Sequence, residues 1–354
     1  MLMTLSLLTS LALAVAPDAR QAAPRTLDTA VPPPVFDSLS GWLLRRAELR
    51  DQIAAAAGIL PMAEHGAPQA HVFGRVERDG YSIEKVWFET LPGLVLAGNL
   101  YRPLGHGAGP HPAVLTPHGH MEQGRLADDE NFSPIARSIA FARQGYVVFT
   151  YDMVGYNDTG LGLAHRGFAT SSPIPALWSI SILGLQTWDS IRALDFLGSL
   201  SDVDGNRIGV TGESGGGTQT FLLCGVDDRP AVCAPVNMIS LHMQGGCLCE
   251  NAPGLRVDTN NVEIGALFAP KPMLMVSATG DWTKDTPKLE GPATRACYDL
   301  FGEGDHLAWV QQDAGHNYNL ASREAVYAFF GRWLLDDDDA SHFHEQAYQA
   351  EPAE

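Results

Sequence analysis

RIGVTGESGGGTQTFLL (Arg207–Leu223) opens as a short apolar run, passes through a Glu-Ser pair set among Gly212, Gly215, Gly216 and Gly217, and continues with the pattern of a helix. Strand, glycine-boxed serine and helix in that order hold one polar side chain on a sharp turn at the end of a strand. Such a turn puts the serine in a strained backbone conformation and needs residues almost without side chains two positions to either side. Gly212-Glu213-Ser214-Gly215-Gly216 fits G-x-S-x-G, the pattern of a nucleophile elbow. Gly212 and Gly216 serve the bend, and the amide of Gly215, at the start of the helix, faces developing negative charge. Glu213 is either the variable position of the pattern or a charge near the chemistry.

Outward from this turn the chain alternates apolar strand runs with helical patterns. Strands are expected at 81–90, 94–103, 112–117, 146–152, 207–212, 231–237, 272–278 and 306–313, and helices at 42–57, 133–144, 176–200, after Ser214 and at 322–335. Apolar strands separated by helices specify an α/β fold: a doubly wound, mostly parallel, eight-stranded sheet with helices on both faces and a leading antiparallel hairpin. Two segments, 153–175 and 239–261, break the alternation and read as insertions near a functional site.

A serine hydroxyl needs a base, and the base needs an orienting acid. After an elbow the expected chain order is serine, acid, histidine, each at the end of a strand. Asp281 follows the run 272–278 and His316 follows 306–313, at separations of 67 and 35 residues. Asp285 is the second choice of acid and Asp313 the third. A further oxyanion donor is expected in the loop after 112–117, where Pro117-His118-Gly119-His120 places the His120 amide beside that of Gly215. Trp282, Tyr156 and Trp178 are candidate substrate-binding aromatics, able to stack on sugar rings.

The segments DGNRIGVTGESGGG, PHGH, ATGDW and DAGHNYN resemble the α/β-hydrolase superfamily, in particular bacterial exported esterases of the acetyl xylan esterase and dienelactone-hydrolase-like branch. The resemblance spans roughly residues 80–335. It implies a serine carboxylesterase acting on short-chain acyl esters through an acyl-enzyme, such as the acetyl groups of xylan or other carbohydrates. Ser214 is then nucleophile, His316 base, Asp281 its acid, and the amides of His120 and Gly215 the oxyanion hole. The alternatives are a serine peptidase of the prolyl-oligopeptidase type, for whose N-terminal propeller there is too little chain, and a non-catalytic hydrolase-fold binding protein.

Composition narrows the partners. The 41 acidic against 23 basic residues give a formal net charge of −18 over 354 residues, unsuited to nucleic acid or an anionic membrane surface. A small-molecule or polysaccharide ester is the expected partner, with no cofactor. The apolar run Leu5–Ala16 reads as the core of a signal peptide spanning 1–23 and implies a periplasmic or secreted protein. A linker is expected at 24–36, the hydrolase domain at 37–335 and an acidic, disordered tail at 336–354. Cys224, Cys233, Cys247, Cys249 and Cys297 form no zinc spacing, so no metal is assigned, and one disulfide is compatible with an oxidising compartment.

Overall fold

The computed structural model describes residue 26 and residues 28–159, 163–167 and 173–351. The expected signal peptide at 1–23 lies outside the described residues. So do parts of the first insertion.

Nine strands form one sheet: β1 (His71–Arg78), β2 (Tyr81–Leu91), β3 (Leu94–Pro103), β4 (His111–Pro117), β5 (Val147–Tyr151), β6 (Val203–Glu213), β7 (Val232–Val236), β8 (Met273–Ala278) and β9 (Leu307–Gln312). Their spatial order is β1-β2-β3-β5-β4-β6-β7-β8-β9. The first three are antiparallel neighbours and β3 pairs antiparallel with β5. From β5 to β9 every pairing is parallel. The doubly wound α/β architecture is therefore as expected, with one strand more. β1 escapes a sequence reading because HVFGRVER buries almost nothing: seven of its eight residues are exposed. It is held by backbone hydrogen bonding to β2, and its side chains show no buried face.

The helices are α1 (Leu39–Ala56), α2 (Pro134–Arg143), α3 (Ile174–Leu177), α4 (Ile182–Ser199), α5 (Gly215–Val226), α6 (Asn261–Ala266), α7 (Glu290–Asp299) and α8 (Leu320–Leu334). Alternate residues of the parallel strands feed two cores. Ala113, Leu115, Val147, Phe149, Met273 and Met275 pack with α1, α4, α5 and α6. Val114, Val148, Val232, Ala234, Leu274 and Val276 pack with α2 and α8 on the opposite face. A period of two, apolar in both phases, is what covering both faces of a parallel sheet requires.

Two expectations need correction. The long helix expected at 176–200 is broken: Ser179 takes φ +55° and Ser181 caps a new helix by accepting from the Gly184 amide at 3.0 Å. The apolar content on both sides hides this break. The tail expected to be disordered from residue 336 is packed through residue 351. Phe343 is 3 % exposed and lies over Gly331, Glu345 takes the guanidinium of Arg323 and the hydroxyl of Tyr327, and Glu351 pairs with Arg78 on β1. Glu345 and Glu351 have specific basic partners, which a charge count does not reveal. Among the described residues no helix is long and apolar enough to cross a membrane.

Candidate active site

Ser214 stands between β6 and α5 with φ +58° and ψ −122°, a backbone conformation that costs a residue with a side chain of order 1–3 kcal/mol. Close approach explains the glycines around it. A Cβ on Gly212 would lie 2.3 Å from the Pro117 carbonyl oxygen, and one on Gly216 would lie 2.4 Å from the same atom. Strand β6, the first turn of α5 and the end of β4 can meet only if both positions lack side chains.

His316 and Asp281 are brought together from the ends of β9 and β8. His316 Nδ1 is 3.3 Å from Asp281 Oδ2. Asp281 is further fixed by the Trp282 amide at 2.6 Å and the Thr283 hydroxyl at 3.0 Å, so its carboxylate is oriented before any substrate arrives. The other ring nitrogen of His316, Nε2, is buried without a hydrogen-bond partner among the described residues, Ser214 included. The Trp282 ring packs on the imidazole at 4.3 Å between centroids and also lines the cleft containing Ser214. Asp285 faces His242 at 3.3 Å, and Asp313 accepts from the Thr279 hydroxyl; neither reserve acid reaches His316.

The loop after β4 wraps over the elbow. A Cβ on Gly119 would lie 3.2 Å from that of Ser214. The Gly119 amide donates to Glu213 Oε1 at 3.1 Å, while Glu213 Oε2 takes Arg137 Nη1 at 2.6 Å. Both members of this ion pair are fully buried. Arg137 also donates to the Thr116 hydroxyl and lies 4.6 Å over the ring of Tyr318, two residues past His316. Glu213 is thus a brace between elbow, oxyanion loop and histidine loop. His118 is a second brace, donating from Nδ1 to the Gly119 carbonyl at 2.6 Å and accepting at Nε2 from the Met153 amide at 3.0 Å. Burial pushes its pKa down to about 3 and keeps the ring neutral. The amides of His120 and Gly215, the expected oxyanion donors, have no partner among the described residues.

No protein-family model matches the chain. Among solved structures it is similar to Methylesterase BT1017, with 32% identity, a TM-score of 0.73, and coverage of 88% of this chain and 69% of that one. A proposed hydrolase of Bacillus subtilis, YtaP, is 28% identical over 310 residues, covering 82% of this chain and all of its own. A proposed acetyl xylan esterase from Bacteroides fragilis shares the fold, at 17% identity, a TM-score of 0.63 and 80% coverage of both chains. The chain belongs to the α/β-hydrolase esterases. Its reaction class is carboxylic ester hydrolysis.

The cleft of this esterase has a volume of about 490 Å³ and is lined by His120, Arg166, Ser214, Cys247, Glu250 and Trp282, among others. Of the three aromatics expected to bind substrate, only Trp282 lines it. Tyr156 is packed edge-on against His118 and His165, with centroids 5.0 and 4.9 Å away. Trp178 is 75% exposed beyond α3 and does not line the cleft. Arg166 is a cleft residue that the sequence reading missed, because a lone arginine in a long insertion carries no positional signal.

The insertion 239–261 supplies one wall of the cleft. Glu250 Oε2 accepts from the amides of Gly246 and Cys247 at 2.7 and 2.8 Å, folding Gly245–Glu250 into a tight turn. That turn points Cys247 and Cys249 at two histidines from other loops. His120 Nε2 is 3.0 Å from Cys249 Sγ, and His165 Nε2 is 3.6 Å from Cys247 Sγ. All five cysteines are free thiols. The hydrogen bond from Cys249, aided by those from His120 and His165, outweighs burial and holds the Cys247 thiol far below the usual cysteine range.

Proposed function

We propose that this esterase is a serine carboxylesterase acting on carbohydrate esters, with Ser214 as nucleophile, His316 as base and Asp281 as the acid that orients it. The observation that carries this reading is the strained Ser214 at the N-cap position of α5, in one cleft with Trp282, whose ring packs at a tilt on the Asp281-bound His316. Ser214 Oγ attacks the ester carbonyl carbon as its proton passes to His316 Nε2. The tetrahedral oxyanion is received by the amides of His120 and Gly215 and by the N-terminus of α5. Collapse expels the alcohol, which takes the proton from His316. Water activated by the same ring then releases the acid and restores the serine. Each oxyanion donor is worth on the order of 10²–10³ in rate.

For the substrate, a small acyl group such as acetate on a plant-polysaccharide fragment fits a cleft of this size. A second reading is favoured by Arg166 in the cleft and by the similarity to a methylesterase: the methyl ester of a carboxylated sugar, whose neighbouring free carboxylates would pair with the guanidinium. The test is a panel of p-nitrophenyl acetate, longer acyl esters, acetylated xylan, a methyl-esterified polyuronide and a peptide amide. Ester turnover lost in Ser214→Ala supports the mechanism, and turnover that survives the change refutes it. Acetate release against methanol release separates the two substrate readings. Export through the signal peptide at 1–23 belongs to the same proposal, and the N-terminal mass of protein recovered outside the cytoplasm checks it.

A further inference from the structure

His120, His165, Cys247 and Cys249 present one donor atom each, and these four atoms lie within 4.8 Å of one another. We infer that they form a zinc site that ties three loops together beside the elbow. The loops follow β4, β5 and β7, so a single ion would pin three separate segments to one another.

Donor chemistry selects the metal. Two thiolates with two imidazoles are a Cys₂His₂ set, which favours tetrahedral zinc. Bond lengths of about 2.3 Å to sulfur and 2.0–2.1 Å to nitrogen put tetrahedral ligand atoms roughly 3.3–3.8 Å apart. The 3.6 Å between His165 Nε2 and Cys247 Sγ falls in that range, the 3.0 Å between His120 Nε2 and Cys249 Sγ is a hydrogen-bond approach that the ion would lengthen, and the wider pairs, within 4.8 Å, would draw in by about 1 Å. The surroundings are those of a ligand set as well. His165 Nδ1 donates to the Val154 carbonyl at 2.7 Å, which fixes the tautomer and leaves Nε2 toward the sulfurs. Glu250 holds the turn that aims Cys247, and the half-buried Arg256 in turn holds Glu250 through its carbonyl at 2.9 Å. Zn²⁺ with two thiolates and two neutral imidazoles is electrically neutral, which suits Cys249 and His165, at 1% and 6% exposure.

Four protein ligands complete the tetrahedron, so the ion is structural and takes no part in ester chemistry. Its effect on the site is positional. The His120 ring would be a ligand while its own amide is the proposed oxyanion donor, and a Cβ on Gly215 would lie 2.6 Å from that ring. Metal content is read independently of catalysis, so failure of this inference and failure of the esterase mechanism are distinguishable.

The test uses the full chain, purified without a metal-affinity step, with zinc and cobalt(II) as probes. Elemental analysis should give about one zinc per chain, falling at least tenfold in Cys247→Ser/Cys249→Ser and in His165→Ala. Cobalt(II) exchanged into the wild type should show thiolate-to-metal charge-transfer absorption and the visible bands of a tetrahedral centre. Removing zinc with a chelator should lower the melting temperature by about 5 °C, and adding zinc should restore it. Variants that fail to fold leave the wild-type measurements decisive. Substoichiometric metal after zinc addition, a cobalt spectrum without thiolate bands, or a mass two hydrogens lower from a Cys247–Cys249 disulfide in protein that still folds would each overturn the inference.

Discussion

Replacing Arg137 by methionine tests whether the buried brace beneath the elbow is structural in the way its geometry states. The change keeps an apolar stem of similar reach but removes the cation. Glu213 would then retain only the Gly119 amide, with its second oxygen stranded at zero exposure. Breaking a buried ion pair from one side costs about 3–5 kcal/mol, a large part of the 5–15 kcal/mol typical of a folded domain. Arg137→Met/Glu213→Gln removes both charges and should recover about 2 kcal/mol or more relative to the sum of the single changes. Urea unfolding at constant m-value measures this directly. Turnover of p-nitrophenyl acetate by the folded single variant should also fall by about 10²-fold, since Glu213 loses the cation that anchors it and shifts the Gly119 amide it still accepts from, and with it the His120 amide. An Arg137→Met protein within 1 kcal/mol of wild type, or a double variant whose loss equals the sum of its parts, would refute the reasoning.

Three further outcomes are expected. Asp281→Asn should lower kcat by about 10⁴-fold through the wrong imidazole tautomer, while Asp285→Asn, which only faces His242, should leave kcat within a few-fold; steady-state kinetics of the pair decides between the acids. Asp189 is fully buried with one oxygen unpartnered, and desolvation raises its pKa to about 7 although Thr90 donates to its other oxygen. A raised carboxyl pKa means the native state holds a proton that the unfolded chain has released between about pH 4 and 7. Its stabilisation is complete below that window and is lost as pH rises through it, by on the order of 1.4 kcal/mol per unit. Asp189→Asn should therefore gain on wild type from pH 4 to 7 and then run parallel, and a pH-independent gap in urea stability would count against this. Phe343→Ala should cost about 3–5 kcal/mol by melting, whereas a truly disordered tail would give no change.

Ser214, Asp281 and His316 were legible because each follows a short apolar strand run in a fixed chain order, and local pattern is enough to place a residue at a strand end. The sheet core was legible for the same reason. β1 was not, since an edge strand with exposed side chains has no hydrophobic period. Nor was the α3–α4 break, where serines carry the signal inside an otherwise apolar stretch. Glu213 could be assigned only once Arg137 and Gly119 were seen on either side of it. The histidine–cysteine cluster was hidden most deeply: Cys247 and Cys249 are neighbours but too few for a metal spacing, and the histidines that face them are 82 and 129 positions away in the chain.

The conformation of Ser214 has one more consequence. At φ +58° glycine is relaxed and serine is strained, so every copy of this fold that keeps serine there carries a folding penalty that a single codon change would remove. A hydrolase-fold protein that only bound its ligand would drift toward glycine at this position and gain stability. Serine at 214 is thus a thermodynamic handicap, which the chemistry proposed for its hydroxyl would offset.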